Sequence, residues 1–240
     1  MATPYWNALR LLNQTAGELG LPQYTSMVAN SNVQSVQLLA LTQAAGNELN
    51  LYYTWDQFVK EWNFVTVVGT DTYATPSDFK YFTDQTQYDR TNRWPLLGPK
   101  SPQEWAWMKG SLVATLPRIR FRMIGDKLVL FPAPTSALNF SMEYTSNDWV
   151  LQSSGTYTDY ITLDGDTVLY DPWLMIKFIK LKFYELKGFE TSGVRADFMR
   201  VFKALTGKDK GAEILSLSPQ SSSMYIGPWS VPDGSWNVGA

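Results

Sequence analysis

The spacing of apolar residues changes twice along the chain, and this change constrains the fold more than any single motif. Before position 63 and from 171 to 206 the apolar residues recur at helical spacing, whereas many of those from 63 to 170 alternate at the two-residue period of strands. The first two helical patterns have apolar positions at Tyr5, Leu9, Leu12, Ala16 and Leu19, and at Leu38, Leu41, Ala45, Leu49 and Tyr52. The sequence therefore predicts an α+β protein with a helical layer from its two ends and an inserted antiparallel β layer.

Capping signals predict where helices begin. Thr3 and Pro4 stand at the predicted start of the first helix, and Asp171 and Pro172 at the start of a long helix after the β layer. The stretch Trp55–Trp62 is predicted to add a further turn or two of helix, with Phe58, Val59 and Trp62 facing inward.

A short helix is predicted at residues 101–110. Ser101 can cap it, and Glu104 stands three residues later in the spacing of a capping box. Its large apolar residues, Trp105, Trp107 and Met108, are too many for one narrow stripe, so the helix is expected to be covered on more than one side.

Two hairpins are predicted in the β layer. Phe64–Val68 and Asp71–Thr75 flank a possible turn and would pair with each other. Ile119–Ile124 and Lys127–Phe131 flank a two-residue link whose first residue, Gly125, suits a type II′ turn.

These elements predict three parts of the chain. Residues 1–62 and 171–206 would form a helical domain, and residues 63–170 a β-rich domain that contains the short helix at 101–110. Residues 207–240 are rich in Ser, Pro and Gly and have little apolar periodicity, so they are expected to form an extended C-terminal arm.

The composition narrows the classes of function. The 240 residues include no cysteine and no histidine, which removes thiolate nucleophiles, disulfides, the usual general base and the commonest metal ligand. Carboxylate-only enzymes remain possible. No site for a cofactor or a metal is predicted.

Aromatic residues make up 15% of the chain and include ten tryptophans, an excess that is typical of protein interfaces and of carbohydrate sites. The formal charge of -2 gives no overall attraction to nucleic acid. No long apolar run and no charged-then-apolar leader is present, so neither a membrane span nor a secretory signal is expected.

Several segments resemble one known family. The runs are Asn13–Leu21 (NQTAGELGL), Gln37–Leu49 (QLLALTQAAGNEL), Tyr73–Phe79 (YATPSDF), Tyr88–Thr91 (YDRT), LLGPKSPQEWAWMK from Leu96, and Glu143–Val150 (EYTSNDWV). In this order they are similar to the podovirus head-to-tail adaptors, the tail tubular protein A-like proteins, over about the first 200 residues.

The resemblance implies a structural virion protein rather than an enzyme. It implies a dodecameric ring docked under the portal at the head-tail interface, which extends the DNA channel and offers a platform to the tail nozzle protein. Double-stranded DNA would pass through the lumen without sequence recognition, and the ring would be assembled in the bacterial host cytoplasm.

Three arginines alternate with apolar residues in the predicted β layer. Arg118, Arg120 and Arg122 would lie on one face of a strand, where guanidinium groups suit phosphates or carboxylates. A solvated strand face is an equally good interpretation. Because a tight phosphate site would hinder moving DNA, contact between subunits is the preferred hypothesis.

Tyr225, Trp229 and Trp236 stand apart from one another on the predicted arm. Apolar groups on a segment without its own core often mark a partner surface, so these residues are predicted to dock on the portal. Folding back onto their own subunit is the alternative.

Two short motifs resemble ligand sites but have ordinary interpretations. Asp164 and Asp166 flank a glycine as in a calcium loop, but Met175 occupies the place of the required glutamate, so a turn is favoured. Gly207-Lys208 lacks the rest of a phosphate loop and indicates a helix end.

Two other classes of function stay open. The aromatic β layer could be a carbohydrate-binding module, which predicts glycan binding by a stable monomer. A carboxylate-only hydrolase of cell-wall glycans predicts turnover that is lost on changing one Asp or Glu. Neither class needs the terminal helices.

Overall fold

A computed structural model of the chain describes residues 5–110 and 118–209. The helices in this part are α1 (Ala8–Glu18), α2 (Val33–Tyr52), α3 (Pro102–Gly110), α4 (Pro172–Lys187) and α5 (Ser192–Asp209), with a 3₁₀ turn at Asp56–Phe58. The strands are β1 (Trp6–Asn7), β2 (Val59–Val65), β3 (Thr72–Ala74), β4 (Phe79–Phe82), β5 (Tyr88–Asp89), β6 (Trp94–Pro95), β7 (Arg120–Ile124), β8 (Lys127–Phe131), β9 (Asn139–Ser146), β10 (Val150–Leu151), β11 (Tyr157–Thr158) and β12 (Thr167–Val168).

The strands form three antiparallel sheets within the described ranges. One has the order β1-β12-β10-β11, and a second has the order β2-β9-β5-β6 with β4 also paired to β9. The third has the order β3-β8-β7. Together with the helices, the sheets confirm the predicted α+β class.

The chain divides into two compact units. Of the described residues, unit 1 contains 5–59 and 145–209, and unit 2 contains 60–110 and 118–144. The predicted limits of the helical domain, the β-rich domain and the arm stay a prediction. Unit 1 groups β10, β11 and β12 with the helices, whereas the sequence placed these strands in the β-rich part.

The core of unit 1 surrounds α4. Asp171 caps this helix by accepting hydrogen bonds from the backbone N–H groups of Trp173 (2.9 Å) and Leu174 (3.1 Å), and Pro172 follows the cap as predicted. The helices α1, α2 and α5 all pack against α4. Its buried residues are Pro172, Leu174, Met175, Ile176, Phe178, Ile179, Leu181 and Phe183.

Unit 2 has two apolar clusters on opposite faces of the β3-β8-β7 sheet. On one face Phe121, Leu128 and Leu130 pack with residues of β9 in a buried cluster. On the other face Val129 and Phe131 pack against α3. This sheet therefore holds α3 in place on its second face.

The first helix begins later than predicted. Asn7 accepts a hydrogen bond from the backbone N–H of Arg10 at 3.0 Å and caps α1, so the helix starts at Ala8. The preceding Trp6 and Asn7 pair with β12. An asparagine is as effective a cap as the predicted threonine. Thr3 and Pro4 lie outside the described residues.

The helix predicted over Trp55–Trp62 is wrong. A single 3₁₀ turn covers Asp56–Phe58, and β2 then begins at Val59. Trp62 and Phe64 are half-buried while their neighbours along β2 are exposed, which is the two-residue period of a strand.

One predicted hairpin forms and the other does not. Ile124 pairs with Lys127 across the two-residue link, and Gly125 has the positive φ of 62° that a type II′ turn requires, so the β7-β8 hairpin is confirmed. In contrast β2 and β3 belong to different sheets, and β3 pairs with β8. The hairpin predicted from 64 to 75 is therefore wrong, because β3 takes the free edge of a strand distant in sequence.

Replacing Gly46 by alanine is expected to destabilise unit 1. A Cβ atom at this position of α2 would lie 2.4 Å from the ring of Trp149, which is fully buried and donates a hydrogen bond to Asn47 at 2.8 Å. Overpacking should cost about 2 kcal/mol, more than the gain of about 1 kcal/mol in helix propensity. Thermal unfolding measures the change.

Gly207→Ala is the matched control for this prediction. Nothing lies within 4 Å of a Cβ atom built on Gly207 in α5, so this change should raise stability by about 0.5–1 kcal/mol. A Gly46→Ala variant that gains stability like the control would contradict the close approach of α2 to Trp149.

Candidate interaction surfaces

The YDRT run forms the end of a strand and the turn after it. Tyr88 and Asp89 pair with β9, and Asp89 is 1% exposed. The Asp89 carboxylate accepts hydrogen bonds from the backbone N–H groups of Thr91 (2.9 Å) and Asn92 (3.1 Å). The acidic residue of this run therefore shapes a turn, in the manner of an Asx turn.

The arginine of the same run is used within its own unit. Arg90 forms an ion pair and hydrogen bond with Glu61, and it donates a further hydrogen bond to the Ser141 hydroxyl at 3.0 Å. Ser141 in turn donates to Glu61 at 2.6 Å. The hydrogen bonds from Ser141 and Asn63, together with the charge of Arg90, hold the pKa of Glu61 below its ordinary value.

The start of α3 has the predicted capping box. The backbone N–H of Glu104 donates to the Ser101 hydroxyl, and the backbone N–H of Ser101 donates to the Glu104 carboxylate, both at 3.2 Å. The hydrogen bond from the Ser101 backbone and the nearby charge of Lys100 lower the pKa of Glu104. The short helix is thus fixed at its first turn.

The side chains of α3 divide between two environments. Trp105 and Met108 are buried against β8, with the ring of Trp105 edge-on to that of Phe131 at 6.0 Å. Trp107 is 73% exposed. The helix was expected to be covered on more than one side, but the side that carries Trp107 is open, which gives the helix an outward aromatic group.

The three predicted arginines do not share one environment. Arg118 precedes β7 and is buried, with its guanidinium 5.5 Å from the centre of the Trp94 ring. Arg120 and Arg122 lie on β7 and are half-buried. Their partners on β8 are Phe131 and Val129, the two residues on which α3 packs.

We call this surface the arginine face: Arg120, Arg122, Phe131, Val129 and the α3 side chains over them. Across an antiparallel pair, opposite residues point to the same side of the sheet, so both guanidinium groups emerge beside α3. Within the described residues neither arginine forms an ion pair. The interpretation of a plain solvated strand face is therefore too simple, because a helix covers part of it.

The two aspartates of the LDGDT run connect loops of unit 1. Asp164 accepts hydrogen bonds from the hydroxyl of Ser26 (2.5 Å) and the backbone N–H groups of Met27 and Val28 (both 2.9 Å). Burial raises the pKa of Asp164, but these hydrogen bonds outweigh it, so the pKa lies below its ordinary value.

Asp166 is fully buried and closes its own turn. Its carboxylate accepts from the backbone N–H groups of Thr162 and Leu163 (both 2.8 Å), from the Thr162 hydroxyl (2.8 Å) and from the backbone of Ser153 (3.3 Å). Burial raises the pKa of Asp166, but the hydrogen bonds outweigh this effect, so the pKa lies below its ordinary value. The predicted turn is present, and both carboxylates hold it together.

The structure describes the predicted helix end at Gly207-Lys208 but not the three aromatic residues of the arm. Gly207 and Lys208 belong to the last turn of α5, which ends at Asp209. Tyr225, Trp229 and Trp236 lie outside the described residues.

Among the residues that the structure does describe, no cluster of three or more acidic side chains could hold a metal ion. Across 5–110 and 118–209, no helix has the length and apolar character to cross a membrane.

The sequence does not predict two apolar surfaces that the structure shows. The first is the valine loop, residues 65–70, which begins at the last residue of β2 and whose Val65, Val67 and Val68 are all exposed. The second is the helical groove between α2, α4 and α5, whose apolar lining consists of Tyr52, Phe178, Leu181, Phe198, Met199 and Phe202. The sequence predicts a strand over Phe64–Val68 because β-branched residues favour strands, but β2 ends at Val65 and leaves Val67 and Val68 in the loop.

The fold and these surfaces define a class of protein: an α+β chain whose buried carboxylates build turns and whose exposed faces suit contacts with other proteins. The sequence model of the SU10 adaptor protein family matches residues 7–210. The chain belongs to this family, which is one of phage head-to-tail adaptors. A search of curated proteins gives no match.

Family membership confirms the resemblance to head-to-tail adaptors. The protein is therefore a structural component of a phage virion, in which the adaptor contacts other components such as the portal and the tail. The matched range includes both compact units.

Changing Asp166 to asparagine is expected to destabilise unit 1 by about 2 kcal/mol or more, because an amide group would place a donor opposite backbone N–H groups. The wild-type contribution should be present above the ordinary pKa of an aspartate. It should be lost as the pH falls through the lowered folded pKa. Denaturant unfolding at several pH values measures both effects.

Asp159→Asn, at an exposed position near the same turn, is the control and should change stability by less than about 0.5 kcal/mol. Equal losses in the two variants, or an Asp166→Asn variant with unchanged pH dependence, would contradict the assigned role.

Proposed function

We propose that the protein forms a dodecameric ring between the portal and the tail nozzle of a podovirus and extends the DNA channel. The observation that supports this most is the family match over residues 7–210, which includes both units. Double-stranded DNA passes through the lumen without sequence recognition. The ring has no catalytic role and is assembled in the bacterial host cytoplasm.

The arginine face is the proposed contact between neighbouring subunits. Arg120 has one guanidinium nitrogen that is buried and lacks a hydrogen-bond partner within the described residues. A half-buried guanidinium without an ion pair in the described part of its own subunit is costly, and a carboxylate from a neighbouring subunit would pair with its accessible part. Arg122 emerges on the same face and would extend the contact.

Arg118 has a different role in this proposal. Because it is buried beside the ring of Trp94, it supports the strand that carries Arg120 rather than reaching the neighbour itself. All three arginines therefore belong to the proposed subunit interface: Arg120 and Arg122 contact the neighbouring subunit, and Arg118 supports their strand from within its own unit.

DNA is the other polyanion that the arginine face could contact. Phosphate contacts are favourable wherever arginines line a DNA path, and they would slow passage through a channel. A half-buried pair beside a fixed helix suits a permanent protein contact better.

The C-terminal arm is the proposed contact with the portal, made through Tyr225, Trp229 and Trp236. Its attachment point supports this. Asp209, the last described residue, accepts a hydrogen bond from the backbone N–H of Asp56 at 3.2 Å, and the Tyr53 hydroxyl donates to the Thr206 carbonyl at 3.3 Å. The arm therefore leaves from a fixed point on unit 1.

Negative-stain imaging of the protein mixed with the portal of the same phage tests the ring. The expected result is an added tier of density with the portal's rotational symmetry, and each component imaged alone is the reference. Deleting residues 216–240 should remove the tier and leave the fold of the described units intact by circular dichroism. A portal that stays bare at high protein concentration would contradict the adaptor position.

Charge reversal of Arg120 tests the subunit contact. Arg120→Glu should reduce ring formation on the portal at least tenfold, because it places a carboxylate where an acidic partner is expected. Arg93→Glu, at an exposed position of the same unit, should leave ring formation unchanged. Normal rings with altered retention of DNA would show instead that the arginine face contacts the nucleic acid.

A further inference from the structure

The valine loop is an exposed apolar projection of unit 2. The side chains of Val65, Val67 and Val68 are 57%, 60% and 62% exposed. Residues 65–70 contain no charged side chain. Three exposed valines within four residues are unfavourable in water and indicate a surface that a partner covers.

The loop is held in one conformation from inside. Thr66 is 2% exposed, its backbone N–H donates to the Leu138 carbonyl at 2.8 Å, and its hydroxyl accepts from the Leu138 backbone at 2.9 Å. The Tyr73 hydroxyl accepts from the backbone N–H of Val67 and donates to the carbonyl of Thr70, both at 2.9 Å. Because the loop is already ordered, its valines can dock at little entropic cost.

The helical groove is a matching concave surface on unit 1. It has a volume of about 400 Å³ between α2, α4 and α5. The rings of Phe178 and Phe198 stack at 4.6 Å along its floor, and Tyr52 and Met199 at its sides are 58% and 40% exposed. The groove therefore offers apolar walls that remain accessible.

The charges around the groove are paired with one another. Lys182 forms an ion pair with Glu48, and Arg195 forms one with Glu185 at 2.8 Å. A rim whose charges are neutralised in pairs favours an uncharged apolar occupant over a phosphate or an acidic peptide.

We propose that the valine loop of one copy docks in the helical groove of the next copy around the ring. A closed ring needs two different complementary surfaces on every subunit. This chain carries an ordered, uncharged apolar loop and an apolar groove whose rim charges are paired, so the two surfaces are complementary in polarity and charge. The inference rests on the proposed ring and names a second copy of this chain as the occupant.

Cysteine cross-linking tests this contact. Because the chain contains no cysteine of its own, any disulfide between two subunits must join the introduced cysteines. One sample carries Val67→Cys, and a second, marked with a size tag, carries Met199→Cys. The two are mixed, assembled on the portal and oxidised. The expected product is a disulfide-linked pair of one tagged and one untagged chain. In the control, tagged Met199→Cys is mixed with untagged Val33→Cys, which changes an exposed valine of α2. The yield of linked pairs should be at least tenfold higher with Val67→Cys than in this control.

Three results would overturn the contact. Pairs formed between two Val67→Cys chains would indicate that the loop meets its own copy across a two-fold axis. Equal cross-linking by the Val33→Cys control would indicate random collision. Rings that imaging shows to be complete but that contain no cross-link would refute the loop-groove contact and leave the adaptor ring standing, whereas the absence of rings in every sample would refute the ring itself.

Discussion

Burial of α4 is the interaction on which unit 1 depends. Eight side chains of this helix are buried, and each large apolar one contributes about 1.5–3 kcal/mol when removed from water. Such a helix is stable only when other elements cover it on several sides, and α1, α2 and α5 do so. The helical groove is a consequence of the same packing, because Phe178 and Leu181 of α4 form part of its floor. A surface built on a buried helix is well ordered, which suits the repeated subunit contact of the proposed ring.

Carboxylates that accept hydrogen bonds from loops show why acidic residues at short spacing need not indicate a catalytic or metal-binding site. Asp89, Asp164 and Asp166 each accept several hydrogen bonds, mostly from backbone N–H groups of loops. The hydrogen bonds to Asp164 and Asp166 hold the pKa of each carboxyl below its ordinary value. All three carboxylates are fixed in place by the loops that they connect. In sequence the LDGDT run resembles a ligand loop, and only the donors around it distinguish the two roles.

The sequence predicts local features of this fold well and distant pairings poorly. The capping box at Ser101, the cap at Asp171 and the β7-β8 hairpin all depend on a few neighbouring residues, and each is confirmed. The partner of β3 is a strand more than fifty residues away, so no local signal identifies it. The arginine alternation was likewise visible, but the helix that covers the same face comes from a separate segment. The candidate surfaces are therefore only partly predictable, because exposure is a property of the packed chain.

The two proposed subunit contacts have complementary physical roles. The valine loop and the groove would supply apolar burial, which is strong but tolerant of small shifts in position. The arginine face would supply directional, charge-assisted hydrogen bonds, which discriminate against a wrong register or a wrong neighbour. In a closed ring every subunit makes both kinds of contact twice, once on each side, so contacts that are weak in solution become stable when a portal gathers the subunits. This combination would allow the proposed ring to form on the portal even from subunits that are separate in solution.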